Sequence, residues 1–169
     1  MRPLSPHLIP LGLGLGAAVV SDLRRRRIPN AVAGFVFLSG LVFRAYHLGL
    51  VAVLSGLGAS VLLLAFLFPA WKRGGIGGGD VKLAAATGTW VGLSHLVWFV
   101  LGATLTGGLV SAVFLLFATP TARAEVKANV MLAGLHGELP TVATHKKGHL
   151  SVPYALAISA GAVVALLIA

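Results

Sequence analysis

The sequence predicts an all-α, polytopic membrane protein: a single bundle of six transmembrane helices occupying residues 1–169. Three observations carry that expectation. The first is composition, with 57% of the 169 residues hydrophobic and only 10% charged. A soluble domain needs about 25% charged residues to cover its water-facing surface, so a water-soluble fold is excluded. The second is a series of apolar runs near the ~20 residues that span a bilayer. The third is the side on which the positive charges fall.

The first run, from about Leu4 to Ser21, follows Arg2 and carries Pro3, Pro6 and Pro10 near its start. A cleaved signal peptide competes with a retained helix here. The cluster Arg24-Arg25-Arg26-Arg27 follows at once, and such a cluster resists export, so a retained helix is expected. Ile28-Pro29-Asn30 restarts the chain, since proline suits a helix's first turn. The second span is read over about Ala31 to Phe43, ending in a polar turn around Arg44, Tyr46 and His47. The third runs from about Gly49 to Trp71. Val81 to Phe117 is too long for one helix, and Ser94-His95 near its middle marks a hairpin between the fourth and fifth spans. The stretch from Thr119 to Leu150 is the only sizeable polar segment. Ser151 to Ala169 completes the set at about 28 Å of helix.

Six crossings leave 11 of the 13 basic residues on the side of the arginine run, with Arg2 and Arg44 opposite. By the positive-inside rule that side is cytoplasmic. Both termini then lie outside, and cytoplasmic loops are expected at about 22–30, 72–80 and 119–150. Topology accounts for the net charge of +9, so no nucleic-acid partner is implied. The partner implied is the lipid bilayer of the cell membrane. There are no cysteines, which removes disulfides and thiolate metal sites.

Only two aspartates occur, Asp22 and Asp80, each at the edge of an apolar segment. An ionisable group in that position is costly and commonly functional. Helical residues four apart share a face. Counting back from Asp22 gives Ala18 and Gly14, and counting forward from Asp80 gives Ala84, Gly88 and Gly92. Small-residue stripes let membrane helices pack closely, which turns both acids inward, although alanine and glycine are abundant enough to produce such stripes without function. Two neighbouring carboxylates in a poorly solvated site share a proton. One then activates water while the other polarises a peptide carbonyl, without metal or covalent intermediate. Either acid alone would read as a solvated helix cap.

The motifs are more specific than the spacing. Asp22-Leu23-Arg24-Arg25-Arg26-Arg27-Ile28-Pro29-Asn30 resembles the first signature of the type IV prepilin peptidases. Gly77-Gly78-Gly79-Asp80-Val81-Lys82-Leu83 is similar to their second, the Gly-x-Gly-Asp-x-Lys-Leu element. Val152-Pro153-Tyr154, opening the last span, is a weaker third likeness. The resemblance implies a membrane aspartic endopeptidase with Asp22 and Asp80 as its catalytic pair. The implied substrates are prepilin or pseudopilin precursors, whose basic leader is cut at the cytoplasmic face. It implies no cofactor, and a short form without the cysteine-bearing domain used for N-methylation.

Other residues carry competing readings. Gly77 and Gly79 shape the substrate's path or merely connect two spans. Lys82 lowers the pKa of Asp80 or binds substrate, or else only anchors the chain at the positive side. His145 and His149, four apart, lack a third ligand, so no metal site is expected. Thr121 to Leu135 reads as an interfacial helix, and Glu125 and Glu138 as solvated. The rival function from another class is a small proton-coupled transporter using the two acids as a relay.

Overall fold

A computed structural model describes residues 8–117 and 154–168 of the chain. The described residues are all-helical: α1 (Ile9–Arg25), α2 (Asn30–His47), α3 (Leu50–Lys72), α4 (Gly78–Val91), α5 (Leu96–Phe117) and α6 (Tyr154–Ile168). The polar segment around 119–150, with its interfacial-helix, glutamate and His145–His149 readings, lies outside the described residues.

The short helix α4 sits at the centre. Every residue from Leu83 to Val91 is buried, and α2, α3 and α6 all pack on it. A helix buried on all sides carries no polar stripe, which explains the run Leu83-Ala84-Ala85-Ala86-Thr87-Gly88-Thr89-Trp90. Its polar atoms are spent inside the bundle. Ser60 Oγ of α3 donates to the Ala85 carbonyl at 2.6 Å. Thr89 Oγ1 donates to the Ala86 carbonyl at 2.7 Å and Trp90 Nε1 to the Val36 carbonyl at 2.9 Å. At Gly88 the α3 backbone comes so close that a Cβ would lie 2.9 Å from Ser60 N. This is the small-residue packing by which membrane helices approach one another. A second close crossing joins α5 to α6, where a Cβ on Gly161 would stand 2.7 Å from both Ala103 N and the Phe99 carbonyl.

Several expected boundaries move. Helix α1 continues past Ser21 through Asp22 to Arg25, because Arg24 and Arg25 in its last turn suit the negative end of the helix dipole. Helix α4 begins at Gly78, so Asp80 lies in its first turn rather than in a loop. Helix α2 starts at Asn30, with Pro29 as its extended N-cap.

The polar turn expected around Arg44 is the clearest correction. Helix α2 runs on to His47, and Arg44 is buried, only 7% exposed. Its guanidinium donates to the carbonyls of Thr89 (2.6 Å), Trp90 (3.0 Å) and Ala52 (3.0 Å). A cation at a helix C-terminus satisfies carbonyls that have no partner within the helix, so Arg44 fastens the end of α4 to α2 and α3. Gly92 follows in a positive-φ conformation (φ 71°) that glycine adopts freely. It opens the tight hairpin expected near Ser94-His95.

Among the described residues, Leu50–Lys72 and Leu96–Val113 are long and apolar enough to cross a membrane by themselves. Tyr154–Ile168 is apolar but shorter. At 14 residues α4 extends about 21 Å, short of the ~30 Å hydrocarbon core.

Candidate active site

Helix α1 is capped by Arg26, whose backbone is left-handed (φ 51°) and whose N–H closes onto the Asp22 carbonyl at 2.8 Å. The chain then turns back toward α2, and Ser21 Oγ donates to the Arg27 carbonyl at 2.8 Å. That turn buries Ile28 against the first turn of α4. A Cβ on Gly79 would stand 3.2 Å from Ile28 Cβ and 3.4 Å from Ile28 N. A Cβ on Gly78 would meet Trp71 Nε1, from the end of α3, at 2.9 Å. The end of α1, the start of α2, the end of α3 and the start of α4 therefore meet at one end of the bundle.

Asp22 and Asp80 share a cavity there of about 260 Å³, lined also by Arg26, Arg27, Ile28, Gly77, Gly78 and Gly79. Both acids are half-buried. The small-residue register holds on both helices: Gly14 and Ala18 are buried below Asp22, and Ala84 and Gly88 beyond Asp80. Gly92 falls past the end of α4 and belongs to the hairpin instead.

Burial first, and the neighbouring Asp22 charge second, push the Asp80 carboxyl up to about 6. Its place in the first turn of α4 pulls the other way, since a helix N-terminus favours a negative charge. The two effects that raise it prevail. Asp22 is held by a different contact, one that no motif announces. The backbone N–H of Ala155, in the first turn of α6, donates to Asp22 Oδ2 at 3.3 Å. The last helix thus reaches into the site, and the only sequence signal was the likeness at Val152-Pro153-Tyr154.

The glycines have a steric reason at this site rather than a flexible one. Gly77 takes an ordinary extended conformation (φ −66°, ψ 137°) at the N-cap of α4. Its missing Cβ makes room for Asp80 Oδ2, which would lie 2.7 Å from it. Only Gly74, in the preceding turn, needs positive φ (76°). Lys82 does not line the carboxylate cavity. It projects from another face of α4, where its Nζ donates to Asn30 Oδ1 at 3.0 Å.

The model of the type IV leader peptidase family matches residues 9–112, well over half of the chain. The chain belongs to that family. The matched region contains both aspartates, the Ile-Pro-Asn turn and the glycines beside Asp80. No curated protein and no solved structure matches the chain. As a type IV leader peptidase the chain is a hydrolase of prepilin-type substrates.

Proposed function

We propose that this leader peptidase is a membrane-embedded aspartic endopeptidase in which Asp22 and Asp80 are the catalytic pair. It removes the basic leader of prepilin-like precursors at the cytoplasmic face. The observation that carries the reading is the shared cavity: the chain's only two aspartates, far apart in sequence, line one pocket and interact electrostatically.

In this reading Asp80 is the protonated member, kept so by burial and by the charge on Asp22. It donates a hydrogen bond to the scissile carbonyl oxygen. Asp22, an acceptor toward the start of α6, takes a proton from the attacking water. The tetrahedral intermediate collapses as the proton reaches the leaving amine. Arg26 and Arg27 line the same cavity and set its positive rim.

The embedding is read from several features together. Among the described residues, two helices are long and apolar enough to span a membrane. Large apolar side chains such as Leu62, Phe66, Leu105 and Leu109 face outward. Arg24 to Arg27, Lys72 and Arg73 gather at the end of the bundle that holds the acids. We read the bundle as six spans with that basic end cytoplasmic. Membership of a peptidase family does not favour the proton-coupled transporter.

Co-expression with a candidate prepilin tests the activity. The precursor shifts to the mobility of the mature form, and mass spectrometry of the product locates the new N-terminus just before the hydrophobic helix. An unshifted precursor, with this chain present in the membrane fraction, overturns the proposal.

A further inference from the structure

A second concavity lies on the face of α4 opposite the acids. It is an open apolar trough of about 480 Å³ between α2, α3 and α4. Lys82 and Asn30 close one end, joined by their 3.0 Å hydrogen bond. Phe37 and Leu38 of α2 and Val61 and Leu64 of α3 form its walls. From Asn30 to Leu38 the trough follows α2 for about 12 Å. That is close to the depth of one leaflet, about half of a ~30 Å hydrocarbon core. Leu38, Val61 and Leu64 are exposed, so the trough faces whatever surrounds the bundle. Its floor is open at Gly34, where an added Cβ would meet nothing within 4 Å.

One end is cationic and the remainder apolar, a pattern complementary to an amphipathic anion. We infer that this trough binds one anionic phospholipid. Its headgroup phosphate sits on the Lys82 ammonium and the Asn30 amide, and an acyl chain lies along Phe37 and Leu64. Lys82 has three N–H donors and spends one on Asn30 Oδ1, which leaves the Asn30 amide N–H groups as further donors. The arginine run at the same end adds to the attraction for a negative headgroup. A substrate is the poorer occupant, because the basic leader proposed above is repelled by Lys82. The inference rests on the membrane-embedded reading and concerns a site separate from the carboxylate cavity.

Carbonate extraction of membranes containing the full chain comes first. Release of the wild-type chain into the supernatant overturns the embedded reading and this inference with it. Retention allows the chain to be purified in detergent and titrated with phosphatidylglycerol or phosphatidylcholine under native mass spectrometry. The expected result is one bound phosphatidylglycerol, held at least tenfold more tightly than phosphatidylcholine. Lys82→Met removes that preference. Gly34→Leu, whose Cβ meets nothing within 4 Å and whose branched end projects into the trough, weakens both lipids at least tenfold while a cooperative thermal melt shows the chain still folded. Equal affinity for the two lipids in the wild type, or wild-type binding by both variants, overturns the inference alone. So does a photo-crosslinker at Val61 that captures co-expressed prepilin in place of lipid.

Discussion

At the scale of single residues the chemistry turns on why Asp80 holds its proton. A carboxyl raised to about 6 is protonated below that pH and lost as an acid above it. kcat/KM for leader cleavage is therefore expected to fall as pH rises through about 6, measured on purified enzyme with a prepilin peptide. Infrared titration of the carboxyl band follows the same group directly. In Asp22→Asn its midpoint moves down, because the neighbouring charge is gone, but stays above the ordinary ~3.9 because burial remains. The linkage to stability has the matching sign. Between about 4 and 6 the folded chain keeps a proton that the unfolded chain has released, so stability falls as pH rises across that window. Asp80→Asn abolishes that slope in thermal melts.

Gly77 offers a second test at this scale. In Gly77→Ala the new methyl meets Asp80 Oδ2, the end of a side chain that rotates away at little cost. Stability holds, but the carboxylate is displaced, and misplacement by about 1 Å costs up to 10²-fold in rate. The expected outcome is at least a tenfold drop in kcat with an unchanged melting temperature.

At the scale of elements, α4 must be fixed at both ends for its first turn to present Asp80. Gly88 sets its close contact with α3, and with Ala84 it was legible as a small-residue stripe. The clamp at its far end was not. Arg44 falls among Tyr46 and His47, so hydropathy reads it as part of a surface turn, and only the tertiary structure supplies its carbonyl partners on α3 and α4. The Ala155–Asp22 contact was hidden for the same reason, since a backbone N–H leaves no mark on the sequence. Arg44→Met leaves the Thr89 and Trp90 carbonyls at the end of α4 without their donor and removes a second donor from the Ala52 carbonyl, which keeps its place in α3. With about 1–3 kcal/mol for each buried group left unpaired, and partial relaxation, we expect a loss of about 2–4 kcal/mol in reversible unfolding in detergent. Arg44→Lys restores only part of it, because an ammonium lacks the planar fork.

At the scale of the whole molecule, hydropathy and charge made the helices and the Ser94-His95 hairpin readable. The register of the four-residue steps turns both acids inward, and the two motifs make the candidate pair readable. Helix ends were less so. Ionisable residues interrupt apolar runs, so hydropathy assigns Asp22 and Asp80 to loops, whereas each lies within the terminal turn of its helix. The absence of cysteine makes topology simple to test. Single cysteines replacing Arg25 or Lys72 should react with a membrane-impermeant maleimide only in inverted vesicles, and one replacing Leu48 only in intact cells.

The central claim is that the two aspartates work as one unit. The most direct measurement is single-turnover cleavage of a purified prepilin by the wild type, Asp22→Asn, Asp80→Asn and the double variant, each confirmed as folded. Residues that act together are strongly non-additive. The account predicts that each single variant loses at least about 10³-fold and that the double variant is no worse than either. Substantial cleavage by either single variant, or losses that multiply in the double variant, would contradict it.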